Sequence, residues 1–288
     1  LASDNQKMKL TCAQHALDLT TPIIMGIVNI TPDSFSDGGR FLARDAAIAH
    51  ARKLADDGAT IVDIGGESTR PGAAAASLEE ELDRVMPVLE VLVRDGLIVS
   101  VDTQKAAVMR EAIRLGAAMI NDVNALQAAE AVETCAASKV AICLMHKQGT
   151  PLTMQQAPHY ENVVAEVRDF LRARATACAR AGIARERIVI DPGFGFGKTV
   201  AHNFTLLREL GSLTDSYPVL AGFSRKSSLG TVTGRDADRR LAASLAVALM
   251  ALQNGARILR VHDVAETVDV IKIWQYSQAE KKTSATCD

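Results

Sequence analysis

The sequence predicts a single (β/α)8 barrel of the α/β class, with its active site at the C-terminal ends of the strands. Three observations carry this. Short β-branched runs alternate with stretches of helical periodicity, eight such runs can be counted, and a polar group follows nearly every one of them. A length of 288 residues alone admits either two domains or one barrel of about 250 residues. The absence of any Pro/Gly/Ser-rich linker favours one domain over 1–288, with its core at about 20–276 and polar tails at both ends.

The elements follow in order. Ile23 to Val28 opens the series, and a helix near Asp45 to Asp57 leads to Thr60 to Ile64. Leu78 to Arg94 then precedes Ile98 to Val101, and Lys105 to Leu115 precedes Ala118 to Ile120. Ala128 to Ala137 comes before Val140 to Met145, and Tyr160 to Ala181 before Ile188 to Ile190. Asn203 to Leu210 leads to Pro218 to Ala221, Asp238 to Gln253 to Arg257 to Val261, and Ala265 to Tyr276 closes the count. Gly58, Gly116 and Gly182 stand where αβ connections need a left-handed helix cap. A doubly wound open sheet also alternates in this way, but it places nucleotide-binding glycines after its first strand, where this chain reads Asn29-Ile30-Thr31-Pro32.

Composition narrows the function. Lys and Arg number 32 against 34 Asp and Glu, a net charge of -2, which argues against a nucleic-acid backbone or a membrane surface as partner. No apolar run approaches the roughly 20 residues of a bilayer span, and the polar N-terminal segment lacks a signal-peptide core, so the expectation is a cytoplasmic protein. Five unpaired-looking cysteines fit ordinary thiols better than a disulfide framework or a zinc site.

Reading past each strand gives Asn29, then the run from Gly65 to Gly72, then Asp102-Thr103, Asn121-Asp122, Met145-His146, Asp191-Pro192-Gly193, Ser224-Arg225-Lys226 and Arg260-Val261-His262. Thr103 and Asp122 have a plain alternative reading as helix caps. Caps do not account for acids, an amide and cations converging from separate strands. Asp102 and Asp191 suit a ring bearing several N–H donors, Asn121 both donates and accepts as the edge of a pterin-like heterocycle requires, and Lys226 suits the ring carbonyl. Ser224, Lys226, Arg260 and His262 form an anion pocket beside the last two strands, where barrels commonly hold phosphate.

Asn29 offers a single oxygen, enough for Mg²⁺ that is completed by water and substrate phosphates. The run Pro192 to Thr199 imitates a phosphate-binding loop, but Pro192 stands where the first glycine belongs, so a sharply turning βα loop is the better reading. Thr31 to Gly39 and Gly65 to Gly72 read as long loops able to act as lids, with Asp37 and Arg70 as a closing pair.

The strings Met25 to Gly39, Asp63 to Gly72, Ser100 to Thr103, Ile120 to Val123, Leu144 to His146, Asp191 to Lys198, Gly222 to Ser227 and Arg260 to His262 resemble the dihydropteroate synthase family over roughly residues 23 to 274. Their length and order make the resemblance specific, whereas one glycine run would not. It implies a Mg²⁺-dependent transferase that joins p-aminobenzoate to (7,8-dihydropterin-6-yl)methyl diphosphate for folate synthesis. It also implies a homodimer, in a family whose p-aminobenzoate is imitated by sulfonamides.

By position, the resemblance assigns the pterin clamp to Asp102, Asn121, Asp191 and Lys226, its apolar slot to Val123, Met145 and Phe196, and Gly222 to the pterin site. Asn29, Thr69, Arg260 and His262 match the diphosphate and metal site, with Arg260 stacking on the ring. Phe35, Asp37, Thr69, Arg70, Pro71, Lys226 and Ser227 match the closing loops and the p-aminobenzoate pocket, and the catalytic set is Asp37, Arg70, Lys226, Arg260 and His262. Lys147 departs from the family, which often carries Met there. A pterin-binding methyltransferase or a non-catalytic pterin binder is the alternative, but a methyltransferase has no diphosphate for Arg260 and His262 to hold.

Overall fold

The computed structural model describes residues 8–30, 39–68, 74–150, 153–154, 156–214 and 217–284, the ends 39–42 and 279–284 by their backbone alone. All eight expected runs are strands: β3 (Ile23–Asn29), β4 (Ile61–Gly65), β5 (Val99–Asp102), β6 (Met119–Asp122), β7 (Ala141–Met145), β8 (Ile188–Asp191), β9 (Leu220–Ala221) and β10 (Ile258–Val261). They form one parallel sheet in the order β8-β7-β6-β5-β4-β3-β10-β9. A single bridge between Ile190 and Val219 joins its two edges into a nearly closed barrel.

The helices pack outside: α1 (Gly39–Asp56), α2 (Leu78–Arg94), α3 (Ala106–Arg114), α4 (Ala131–Ala136), α5 (Val163–Arg180), α6 (Val200–Arg208), α7 (Ser227–Thr233), α8 (Leu241–Gln253) and α9 (Val264–Ser284). The start of α2 is set by a capping box, in which Ser77 accepts from the Glu80 N–H and the Glu80 carboxylate accepts from the Ser77 N–H. Gly58, Gly116 and Gly182 adopt φ of 111°, 98° and 90°, the left-handed caps their positions predict.

The expected polar tail ahead of a core from about residue 20 is corrected. Ahead of β3, β1 (Lys9–Cys12) and β2 (His15–Asp18) form an antiparallel hairpin. Its Leu10 and Cys12, with the following Leu19, are fully buried against Met25, Ile61, Met119, Ala141, Leu220 and Ile258. Several of these open their strands, so the hairpin seals the N-terminal floor of the barrel. The physical reason is that inward residues at that end need a cover, and the alternating Lys9-Leu10-Thr11-Cys12 offers one apolar face.

At the other end, α9 continues through the polar residues after Gln278 to Ser284, where a run rich in Gln, Ala, Glu and Lys has high helix propensity. The short α7, absent from the sequence reading, is built from β-branched and small residues that carry no amphipathic signal. Cys12, Cys135, Cys143 and Cys178 are buried free thiols, as expected of ordinary cysteines. No described helix is long and apolar enough to cross a membrane.

Candidate active site

The strand ends bring five polar side chains from five strand-loop junctions into one cleft: Asp102, Asn121, Asp191, Lys226 and Arg260. Val123, Met145, Phe194, Phe196 and Gly222 supply its apolar and backbone walls. Of the eleven residues expected around the pterin diphosphate, nine therefore line the same space. His262 stands just beyond it, and Thr69 lies outside the described residues.

Alternation along the strands produces this convergence, because residues pointing inward at each strand's C-terminal end have only the barrel axis to face. The centre is an ion network. The Arg260 guanidinium donates from Nε to Asp63 Oδ2 at 2.6 Å and from Nη2 to Asp102 Oδ2 at 2.7 Å. Asn121 Nδ2 donates to the same Asp63 oxygen at 3.1 Å, which leaves the amide oxygen of Asn121 as its acceptor toward the cleft. Asp63 is buried in the middle of β4, and its other oxygen, Oδ1, has no protein hydrogen-bond partner.

Arg260 is thus held by two carboxylates, and that pairing fixes its plane.

The electrostatics follow from burial. Withdrawal from water pushes the Asp102 carboxyl up to about 7 against the pull of Arg260, and raises Asp191 against the Gly193 N–H and the charges of Lys226 and Arg260. Burial disfavours the charge on Arg260, yet Asp63 and Asp102 hold its proton more tightly than usual. Asp191 Oδ1 accepts the Gly193 N–H at 2.7 Å, and the Lys226 ammonium lies 4.2 Å from the centre of the Phe196 ring.

In the anion corner, Ser224 Oγ and His262 Nδ1 are 3.1 Å apart. Burial and then Arg260 push His262 down to about 4, so it enters an encounter neutral. Beside it Arg225 pairs with Asp263, Nε to Oδ2 at 3.0 Å.

Asp122 and Thr103 cap no helix, since α3 and α4 open after Lys105 and Glu130; each holds its own βα loop instead, Asp122 accepting the Asn124 and Leu126 N–H groups, both at 2.7 Å, and Thr103 Oγ1 the Lys105 N–H at 3.2 Å. Asn29 ends β3 half-buried beside Gly65, and Ser227 is exposed at the first position of α7. Phe35, Asp37, Thr69, Arg70 and Pro71 lie outside the described residues. At the foot of their second loop, Lys105 Nζ bridges Glu67 and Glu81, the latter at 2.5 Å, while Gln104 donates to Glu67 at 3.1 Å.

Among the described residues no three His, Cys, Asp or Glu side chains gather as a metal cage. Asn29 contributes one neutral oxygen, a donor set that fits Mg²⁺ carrying its own phosphate and water ligands and no tighter protein site.

Sequence reasoning passed over Asp63 as a site residue, because its neighbours Ile61, Val62 and Ile64 read as a buried strand. A lone carboxylate inside such a run was the available signal. Phe194 was likewise passed over; it stacks on Phe223 with centroids 4.6 Å apart.

Fold and cleft together define a barrel enzyme that receives a flat, hydrogen-bonding heterocycle beside an anion. The profile of the pterin binding enzyme family matches residues 25–262. The dihydropteroate synthase of Haemophilus influenzae is 52% identical over 270 residues, 93% of this chain and 98% of that protein; the Escherichia coli enzyme is 47% identical over 277 residues, 96% and 98% of the two chains.

Among solved structures, the Xanthomonas albilineans dihydropteroate synthase with 4-aminobenzoic acid superposes with a TM-score of 0.90 at 52% identity, covering 95% of this chain and 99% of that one. The Burkholderia cenocepacia enzyme complexed with 7,8-dihydropteroate gives 0.88 at 45% identity, covering 96% and 98%. The chain belongs to the pterin binding enzymes and, within them, to the dihydropteroate synthase family.

Proposed function

We propose that this chain condenses p-aminobenzoate with (7,8-dihydropterin-6-yl)methyl diphosphate, yielding 7,8-dihydropteroate and pyrophosphate for folate synthesis in the cytoplasm. The observation that carries the reading is the convergence of Asp102, Asn121, Asp191, Lys226 and Arg260 on one cleft. Two carboxylates and an amide oxygen match the N–H edge of a pterin, and two cations match its carbonyl and its diphosphate.

The carboxylates of Asp102 and Asp191 accept ring N–H bonds, Lys226 donates to the ring oxygen, and Val123, Met145 and Phe196 pack the ring faces. Arg260 and His262, with Thr69 from the second loop, receive the diphosphate. Phe35, Arg70, Pro71, Lys226 and Ser227 hold p-aminobenzoate. Asp37 and Arg70 close the first two loops over the site and exclude water, which competes with the amine.

The methylene C–O bond breaks with its electron pair leaving on the diphosphate, and the positive charge spreads into the pterin ring. Asp102 and Asp191 favour that charge, while Arg260 and His262 favour the departing anion. The aniline nitrogen then forms the new C–N bond and loses its proton, so no protein nucleophile takes part. Mg²⁺ arriving with the diphosphate would be held through Asn29 and would neutralise the leaving group.

The enzyme acts as a homodimer, which light scattering on the eluted peak checks. The deciding experiment is pyrophosphate release with dihydropteroate followed by chromatography. Product formed only with both substrates, and lost with chelator, supports the reading. Pterin binding without product points to a non-catalytic binder or a methyltransferase.

A further inference from the structure

The glycine run after β8 holds a buried lysine that the mechanism above does not use. Lys198 is 2% exposed, and no carboxylate accepts from its ammonium in the structure. Its Nζ lies 2.9 Å from His146 Nδ1 and donates to the Gly193 and Phe196 carbonyl oxygens at 3.0 Å each and to the His146 carbonyl at 3.3 Å. Three backbone carbonyls thus turn toward one point, where the Lys198 hydrogens offset their mutual repulsion, while burial pulls the amine down to about 7.

The loop has been cleared of side chains to make this approach. A Cβ on Gly193 would lie 1.9 Å from the His146 oxygen, and one on Gly197 would lie 2.3 Å from the Gln148 oxygen; both glycines have positive φ. On its outer side the loop is held by Tyr160, whose hydroxyl donates to the Gly197 carbonyl at 2.8 Å. The residues so fixed are walls of the cleft. Phe196 lies under the Lys226 ammonium, and the Gly193 N–H holds the Asp191 carboxylate at 2.7 Å.

We infer that Lys198 is a positioning residue for the pterin half of the reaction. Its ammonium ties the end of β7 to the loop after β8 and thereby sets the Phe196 ring and the Asp191 carboxylate. This rests on the reading of the cleft as a pterin site. Phe196 and Asp191 face the ring, whereas the p-aminobenzoate residues come mainly from other loops. Loss of the ammonium therefore weakens one substrate and spares the other.

The test is steady-state kinetics of Lys198→Met, which keeps the length and apolar stem but removes the donors. The expected result is a KM for the pterin diphosphate raised at least about tenfold, with kcat and the KM for p-aminobenzoate within about threefold of the parent. An unchanged pterin KM, or an equal loss in all parameters that tracks the folded fraction, overturns the inference. If Lys198→Met does not fold, His146 decides. His146→Asn keeps an acceptor near the Nδ1 position and retains the parent pterin KM, His146→Ala raises it, and equal values in the two variants overturn the inference. Parent enzyme that makes no dihydropteroate from the two substrates refutes the functional reading itself, an outcome separate from any of these.

Discussion

Replacing Asp63 by asparagine removes one charge from the ion network behind the cleft while keeping its shape. In the parent, Asp63 Oδ2 accepts from Arg260 Nε at 2.6 Å and from Asn121 Nδ2 at 3.1 Å. An amide oxygen in that place keeps both contacts, but the bond to Arg260 drops from a charge-assisted value of about 1.5–3 kcal/mol to a neutral one of about 0.5–1.5 kcal/mol. At the position of the unpartnered Oδ1, the new NH2 group finds no protein acceptor, a desolvation cost of about 1–3 kcal/mol.

Part of this is offset, because Asp63 repels the neighbouring Asp102 carboxylate. A net loss of about 2 kcal/mol corresponds to a fall of about 30-fold in kcat/KM for the pterin diphosphate. The assay is pyrophosphate release at subsaturating pterin diphosphate, with circular dichroism to confirm folding. A folded Asp63→Asn enzyme within threefold of the parent refutes the argument that Asp63 fixes Arg260 and Asn121.

Three further outcomes follow from the structure. Since burial holds the Asp102 carboxyl at about 7, and its ionised form is the stronger acceptor for a ring N–H, pterin affinity falls as pH drops below about 7, by at most about tenfold per unit; fluorescence titration that is flat from pH 5.5 to 8 contradicts this. His262, neutral in the free site with its proton lost above about 4, gains charge beside a diphosphate, so near pH 5.5 it takes up a proton on binding while Asp102 gives one up. Calorimetry in two buffers of different ionisation enthalpy reads the net count, which His262→Gln shifts toward release. Leu10→Ala opens a cavity in the barrel floor and lowers stability by about 2–5 kcal/mol in denaturant titration, whereas a cost near zero shows that the hairpin is dispensable.

The alternation of β-branched runs with helical segments determines the barrel, because the period of a buried strand and that of a crossover helix are local properties of the chain. Polar groups at strand ends located Asp102, Asn121, Asp191, Lys226 and Arg260 for the same reason: strand direction assigns them all to one face. The hairpin at Lys9–Asp18 escaped notice because four-residue strands carry little periodicity, and its apolar face has meaning only against the barrel floor.

Pairing belongs to the tertiary structure. Nothing local tells that Arg260 reaches Asp63, 197 positions away in the chain, or that Lys198 finds His146, 52 positions away. Composition and order of residues thus determined the architecture, the cleft's donors and acceptors, and the family. Only the folded barrel decided which charges neutralise each other and which carboxyls burial raises. Those depend on distances across the barrel and on exclusion of water, and neither is a property of any segment alone.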